Sequence, residues 1–520
     1  MQTFFDKASA AWSDRDRRFW IVIGFAALVW AFYAFAEFGR MFLLIEYRSW
    51  AARGSLFNPL LMLDPHGMVR SRLLSYFTAA LATEICGYRP ACHDAYQIAL
   101  ILAAGVLLAL ALRRLFPDSP LGLVVAAMLF PLTTSAALES LAWQATLLDK
   151  LALFFTALGI FAVSAIDLAR LDRRRVLITN GLLLLVVFCA YNSKEAAFPL
   201  APSMFGLLVL RFLALVPAVT WNALREASRR TATLLAAPLA YGLIHVALVY
   251  QDRMFLNPRE AARVMGGTWW VNLKIELLYL FSATPLAQAL GKYPYMPIPD
   301  IIAFLVDVLV FVVAVALFVA RFGSTQMRLT WLWAALSFLM AIAIPLRTTA
   351  PSAFYLLVPS FYLAIWLFVT ALVVVRAFPS PAAVRGTVVA VALLTAAHVL
   401  GFLESAPPYL AMATMSDNFT RALPEVGTAY TASGKPAHVV FLWPETAKSA
   451  YMFMAVPSMR RLAVYTLPPG ASTGDDAAFD SAVTDGPYPP AAARPAPQRD
   501  TLTVVFGEDL RLLAIVPPAK

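Results

Sequence analysis

Residues 38–94 read FGRMFLLIEYRSWAARGSLFNPLLMLDPHGMVRSRLLSYFTAALATEICGYRPACHD, the first long polar segment of the chain, held between two hydrophobic runs. It carries Glu46, Asp64, His66, Arg70, Arg72 and the pair Cys86 and Cys92. Almost everything around it is apolar. The 520 residues are 61% hydrophobic and 14% charged, against about 45–50% and 25% in soluble domains. Most of the chain therefore lies in lipid, and the polar segment is a loop of an α-helical polytopic membrane protein.

Apolar runs of membrane length fall near 19–37, 96–115, 121–138, 147–168, 176–191, 198–215, 232–250, 300–320, 329–346, 355–376 and 386–403, about eleven transmembrane helices in all. The first follows Arg15, Arg17 and Arg18 and contains Ala34-Phe35-Ala36, as a signal peptide would. At about 18 residues it exceeds the usual apolar core of a signal peptide, so it reads as an uncleaved helix. The run WWVNLKIELLYLFSATPLAQAL from Trp269 holds Lys274 and Glu276 and reads as a helix lying at the interface.

Lys and Arg in the short connections set the orientation. The N-terminal DRDRR, Arg113-Arg114, the run ending at Arg175, Arg225 with Arg229-Arg230, Arg321 with Arg328, and Arg376 with Arg385 all fall on one side. That side is cytoplasmic and holds the N-terminus. The other carries 38–95, 139–146, 192–197, 251–299, 347–354 and the C-terminal tail. The net charge of +10 thus reflects topology and attraction to the lipid bilayer, with no nucleic acid partner.

After Glu404 the composition becomes that of a small soluble α/β domain, so the chain divides into a membrane domain, 1–403, and a tail domain, 404–520. AHVVFLW, RRLAVYTL, TLTVVFGE and RLLAIVPP read as strands, ETAKSAYMFMAVPSM as a helix, and the Pro-rich stretch from Pro468 to Gln498 as a loop. Cys86 and Cys92 flank a tight Gly-Tyr-Arg-Pro-Ala turn; facing an oxidising compartment, they would bridge.

Ionisable residues collect near the outer membrane boundary: Glu46, Asp64, His66, Arg70, Arg72, Glu139, Asp149, Lys194, Glu195, Arg259 and Arg347. Singly, each would snorkel or cap a helix; as a set beside short loops they read as a site. Carboxylates to take a hydroxyl proton and cations to hold a departing phosphate suit sugar transfer from a polyprenyl phosphate. Direct attack from the opposite face inverts the anomeric carbon. With five His and no HExxH or CxxC, no metal or cofactor is called for. Asp167 and Asp307 read as local hydrogen-bonding residues rather than a proton relay.

Ile45-Glu46-Tyr47 followed by Asn58-Pro59-Leu60, the segment from Gly87 through Arg113-Arg114, Phe130-Pro131 through Glu139, Ala142-Trp143 and Asp149, Asn192-Ser193-Lys194-Glu195, and LLVPSFYLAIWL succeed one another in the order and spacing of a known family. The chain resembles the GT-C superfamily of glycosyltransferases, in particular bacterial relatives of protein O-mannosyltransferases. The resemblance implies Glu46 as catalytic base and Lys194 and Glu195 at the lipid phosphate. It places Glu139 along the same cavity; the collection of residues on the outer side adds His66, Asp149 and Tyr355 to the site lining and Arg72, Arg259 and Arg347 to the donor. The family carries Asp, often doubled, where this chain has Glu46-Tyr47, which leaves Asp64 of LDPHG as the other candidate base. It also carries Arg where Phe354 stands; Arg347 is the nearest substitute upstream. The implied protein is an inverting transferase of the bacterial inner membrane. It passes one sugar from a polyprenyl-phosphate-linked donor to a periplasmic glycan, lipid or protein. A flippase of lipid-linked sugar, and an oligosaccharyl transferase, which more often needs a divalent metal, are the alternatives.

Overall fold

A computed structural model describes residues 14–38, 72–86, 90–142, 146–255, 272–273, 276–277, 280, 298–343, 345–347, 353–434, 436–444, 483–488 and 497–519. The membrane part consists of α1 (Asp14–Phe38), α2 (Leu73–Cys86), α3 (Pro90–Leu115), α4 (Leu121–Leu129), α5 (Ser135–Ala142), α6 (Leu147–Ala165) and α7 (Arg173–Tyr191). It continues with α8 (Leu200–Leu213), α9 (Trp221–Leu234), α10 (Ala236–Phe255), α11 (Ile298–Phe322), α12 (Thr325–Ile342), α13 (Leu357–Ala377) and α14 (Pro381–Ala432). Among the described residues seven helices are long and apolar enough to cross a membrane, or eight if the bent pair α9 and α10 counts as one span.

The protein is helical, polytopic and apolar on its outside. Phe25, Leu28 and Phe32 of α1 are 70%, 71% and 78% exposed, and Leu177, Leu243, Leu309 and Leu393 on other helices also face outward. In water such continuous apolar bands would drive association; in lipid they cost nothing. The span expected over 121–138 is broken: α4 ends in a 3-10 turn at Phe130–Leu132, where Pro131 lacks the N–H a helix would need, and α5 starts at Ser135.

The basic clusters meet at one end of the bundle. Arg113 at the end of α3 lies 3.9 Å from Asp16 at the start of α1. Arg211 of α8 donates to the carbonyls of Val163 and Ile166, capping the C-terminus of α6. Asp172 accepts from Arg175 N at 2.8 Å to start α7. Arg376 of α13 reaches Met327 of α12, and Phe322 of α11 packs on Phe378, 5.6 Å between centroids. Asp167, between α6 and α7, accepts from Ala169 N at 3.1 Å, a local role as read from sequence. Packing within the bundle is close: at Gly206 of α8 an added Cβ would lie 2.6 Å from Trp333 Cδ1, and the Trp333 indole donates to Ser203 O at 2.8 Å.

Three stretches differ from the sequence reading. Residues 221–231, read as a connection, belong to α9, because Ala227, Thr231 and Leu234 make one buried stripe. The described residues of the segment from Trp269 are helical, with Asn272, Glu276, Leu277 and Leu280 buried and Asn272 donating to Leu346 O at 2.9 Å. Among the described residues its polar side chains Asn272 and Glu276 are therefore buried. Finally, α14 does not stop near 403: its 52 residues would span roughly 78 Å, far more than the ~30 Å of a hydrocarbon core.

The C-terminal part of α14 carries a second packed unit. Phe419, Ala422, Val426 and Tyr430 form a helical stripe that packs on Val439, Phe441, Trp443, Leu502, Val504 and Phe506. The sheet is β1 (His438–Pro444), β2 (Val483–Tyr488), β3 (Thr501–Phe506) and β4 (Leu512–Val516) in the order β2-β1-β3-β4. β1 runs parallel to both β2 and β3, with Val439 opposite Val483 and Leu502, and β4 closes antiparallel to β3. β2 lies inside the stretch read as a loop. RRLAVYTL and ETAKSAYMFMAVPSM lie outside the described residues.

Candidate functional site

At the end of the bundle opposite the arginines, the first turn of α6 faces the connection between α7 and α8. The α7 helix ends at Tyr191, where Asn192 turns the chain by donating to Phe188 O at 2.9 Å. Ser193 Oγ donates to Cys189 O at 2.7 Å, and a 3-10 turn, Glu195–Ala197, leads into α8. These side-chain bonds to the last helical carbonyls hold four polar residues, Asn192 to Glu195, inside the protein.

The start of α2 is pinned on this connection. Leu74 N donates to Asn192 O and Ser75 Oγ to Ser193 O, both at 3.0 Å. That register sets Arg72 against Glu195, Nε to Oε1 at 3.3 Å and Nη2 to Oε2 at 3.2 Å. It is a bidentate pair, the geometry that distinguishes Arg from Lys.

Beside it, Lys194 Nζ donates to Asp149 Oδ2 at 2.6 Å, with the side chains 8% and 2% exposed. The same ammonium lies 4.5 Å from the centroid of the Tyr355 ring, close enough for a cation–π contact. Asp149 Oδ1 is buried with no hydrogen-bond partner among the described residues. The next residue, Lys150, points to the other side of α6 and donates to Gln97 Oε1 of α3, with Asp94 within electrostatic reach. The charges thus run from α3 through α6 to the α7–α8 connection and on to α2. Such an array is costly to bury and is retained only where hydrogen bonds satisfy it or a ligand completes it.

A second polar cluster adjoins it. Asn192 Nδ2 donates to Tyr241 Oη at 2.6 Å, and Tyr241 Oη lies 3.1 Å from His245 Nδ1. Which of Tyr241 Oη and His245 Nδ1 donates depends on the imidazole tautomer.

Of the residues singled out in the sequence, Arg72, Asp149, Lys194, Glu195 and Tyr355 come together here. Arg347 lies in the turn Pro345–Arg347 and Glu139 on α5; their side chains, and Glu46, Asp64, His66, Arg70 and Arg259 entirely, lie outside the described residues. Cys86 and Cys92 are joined in a disulfide between α2 and α3. Sequence reasoning missed Lys150, Gln97 and Asp94. The signal was there: consecutive Asp149 and Lys150 open an otherwise apolar run, where one charge would suffice for a helix end. The sequence matches no protein-family model and no curated protein.

Proposed function

We propose that the chain is an inverting glycosyltransferase of the GT-C type in the bacterial inner membrane, with about eleven spans, that moves one sugar from a polyprenyl-phosphate donor to a periplasmic acceptor. The observation that carries this is the pairing of Lys194 with Asp149 and of Arg72 with Glu195 at one level of the bundle. The end that holds these pairs is opposite the arginine clusters, so the positive-inside rule makes it periplasmic, together with the sheet borne on α14.

The chemistry follows from that placement. A polyprenyl chain lies along the apolar helices while its phosphate stops at the boundary, where the cations are. Lys194 and Arg72, each also bonded to a carboxylate, bring positive charge to this boundary, and their attraction to phosphate oxygens strengthens as the leaving group gains charge. The acceptor hydroxyl gives its proton to a carboxylate, Glu46 or Asp64. Its oxygen bonds to the anomeric carbon, the bond from that carbon to the phosphate oxygen breaks, and polyprenyl phosphate leaves with the electron pair.

Glycan transfer is to be measured in membranes of a strain lacking the protein, complemented with wild type, Glu46→Gln or Asp64→Asn at matched expression. Loss with Glu46→Gln alone assigns the base to Glu46; loss with Asp64→Asn alone moves it to Asp64. Transfer retained by both overturns both candidate bases and favours a flippase of lipid-linked sugar.

A further inference from the structure

The α9 helix does no work in the proposed site, yet it is built with care. Thr220 caps it by accepting from Ala223 N at 3.2 Å. Ala227, Thr231 and Leu234 bury one stripe against the bundle, and Asn180 of α7 fastens its far end by donating to Thr233 O at 3.2 Å and accepting from Ala237 N at 3.3 Å. At Leu235 the chain bends by 76° into α10. α10 exposes Leu243, Ile244 and Leu248, and the bend turns α9 nearly perpendicular to the α10 axis.

What α9 presents outward has two parts. The approach to it, Leu215, Val216, Val219 and then Trp221, is apolar and exposed, Trp221 at 76%. Arg225, Arg229 and Arg230 follow along the helix. Glu226 pairs with the last two at 3.0 and 2.8 Å, so three Arg less one Glu leave a net charge of +2. An apolar run ending in Trp beside a basic face is the pattern of a helix seated in the headgroup layer. The basic clusters of α1, α3, α7 and α12 share this end of the bundle, so α9 completes a cationic rim.

We propose that the run Leu215–Trp221 and the helix α9 form a binding surface for anionic phospholipid headgroups, with Trp221 at the hydrocarbon boundary and Arg225, Arg229 and Arg230 on the phosphates. The charge of the surface selects the lipid, since a zwitterionic headgroup offers no net attraction to it. This assignment is independent of the transferase reading.

The test is local hydrogen exchange of the full chain in nanodiscs of phosphatidylcholine alone or of equal parts phosphatidylcholine and phosphatidylglycerol. Peptides covering 215–234 are expected to exchange several-fold more slowly in the anionic discs, to lose that slowing in high salt, and to lose it in Arg225→Gln/Arg229→Gln/Arg230→Gln. Peptides from α7 and α13 report that the variant is folded. Equal exchange of wild type in the two lipids, or the same slowing in the triple variant, overturns the proposal. Slowing that appears only on adding a protein fraction reassigns the surface to a protein partner. The wild-type arms stand even if the variant does not fold.

Discussion

Lys194 Nζ and Asp149 Oδ2 lie 2.6 Å apart, 45 residues apart in sequence, with both side chains almost fully buried. Removing one partner leaves the other charge buried without its ion-pair partner, a loss of about 3–5 kcal/mol. Lys194→Met and Asp149→Asn are each expected to lower the thermal midpoint in detergent strongly, and the double variant by clearly less than the sum. Additive losses would mean the pair is not coupled. Transfer activity is expected to stay absent in the double variant even where its stability recovers.

Arg72 meets Glu195 through two parallel bonds, so charge alone does not replace it. Arg72→Lys is expected to destabilise only modestly, about 1–3 kcal/mol, yet to lower transfer at least about tenfold, an order of magnitude corresponding to ~1.4 kcal/mol of lost stabilisation. Activity in Arg72→Lys close to wild type would show that the bidentate geometry is not used.

Glu276 gives the stability a pH dependence. Neither carboxylate oxygen has a hydrogen-bond partner among the described residues, and burial pushes the carboxyl from 4.5 up to about 9. Between those values the folded protein holds a proton that the unfolded chain has released. Stability therefore falls as pH rises, by up to about 1.4 kcal/mol per pH unit from this group. Glu276→Gln is expected to unfold like wild type near the lower end of that window and at a higher temperature toward the upper end. Parallel melting curves across the window would contradict this.

The disulfide between Cys86 and Cys92 closes a short loop, with a sequence separation of 6, and is worth about 2 kcal/mol by loop entropy. Of the three Cys in the chain, one thiol, Cys189, is expected to react with maleimide in denaturant before reduction and all three after. Three reactive thiols before reduction would contradict the bridge.

The helices were legible because hydrophobic length is a strong signal, and the Asp149, Lys194 and Glu195 cluster because charge inside apolar sequence is rare. Other features were hidden by local chemistry. α9 carries Arg225, Glu226, Arg229 and Arg230 in one short helix, so only three-residue and four-residue spacings of Ala227, Thr231 and Leu234 mark its buried stripe. VTDGPY of β2 holds Gly486 and Pro487, which read as a turn, and it is a strand only because β1 pairs with it. The composition changes after Glu404, yet α14 continues through Pro407 and Pro408 to Ala432. Arg72 could not be matched to Glu195 from sequence, because the bonds that set its register, Leu74 N to Asn192 O between backbones and Ser75 Oγ to Ser193 O, join residues far apart in the chain.

The most direct measurement is the release of polyprenyl phosphate from a set of polyprenyl-phosphate-linked sugars by the purified chain in proteoliposomes, with periplasmic extract as the acceptor source. Wild type is expected to release it from at least one donor, and Lys194→Met and Arg72→Lys to release it far more slowly at equal folded protein. Release from none of the donors, or release unchanged by both substitutions, would contradict a transferase whose phosphate site is built on Lys194 and Arg72.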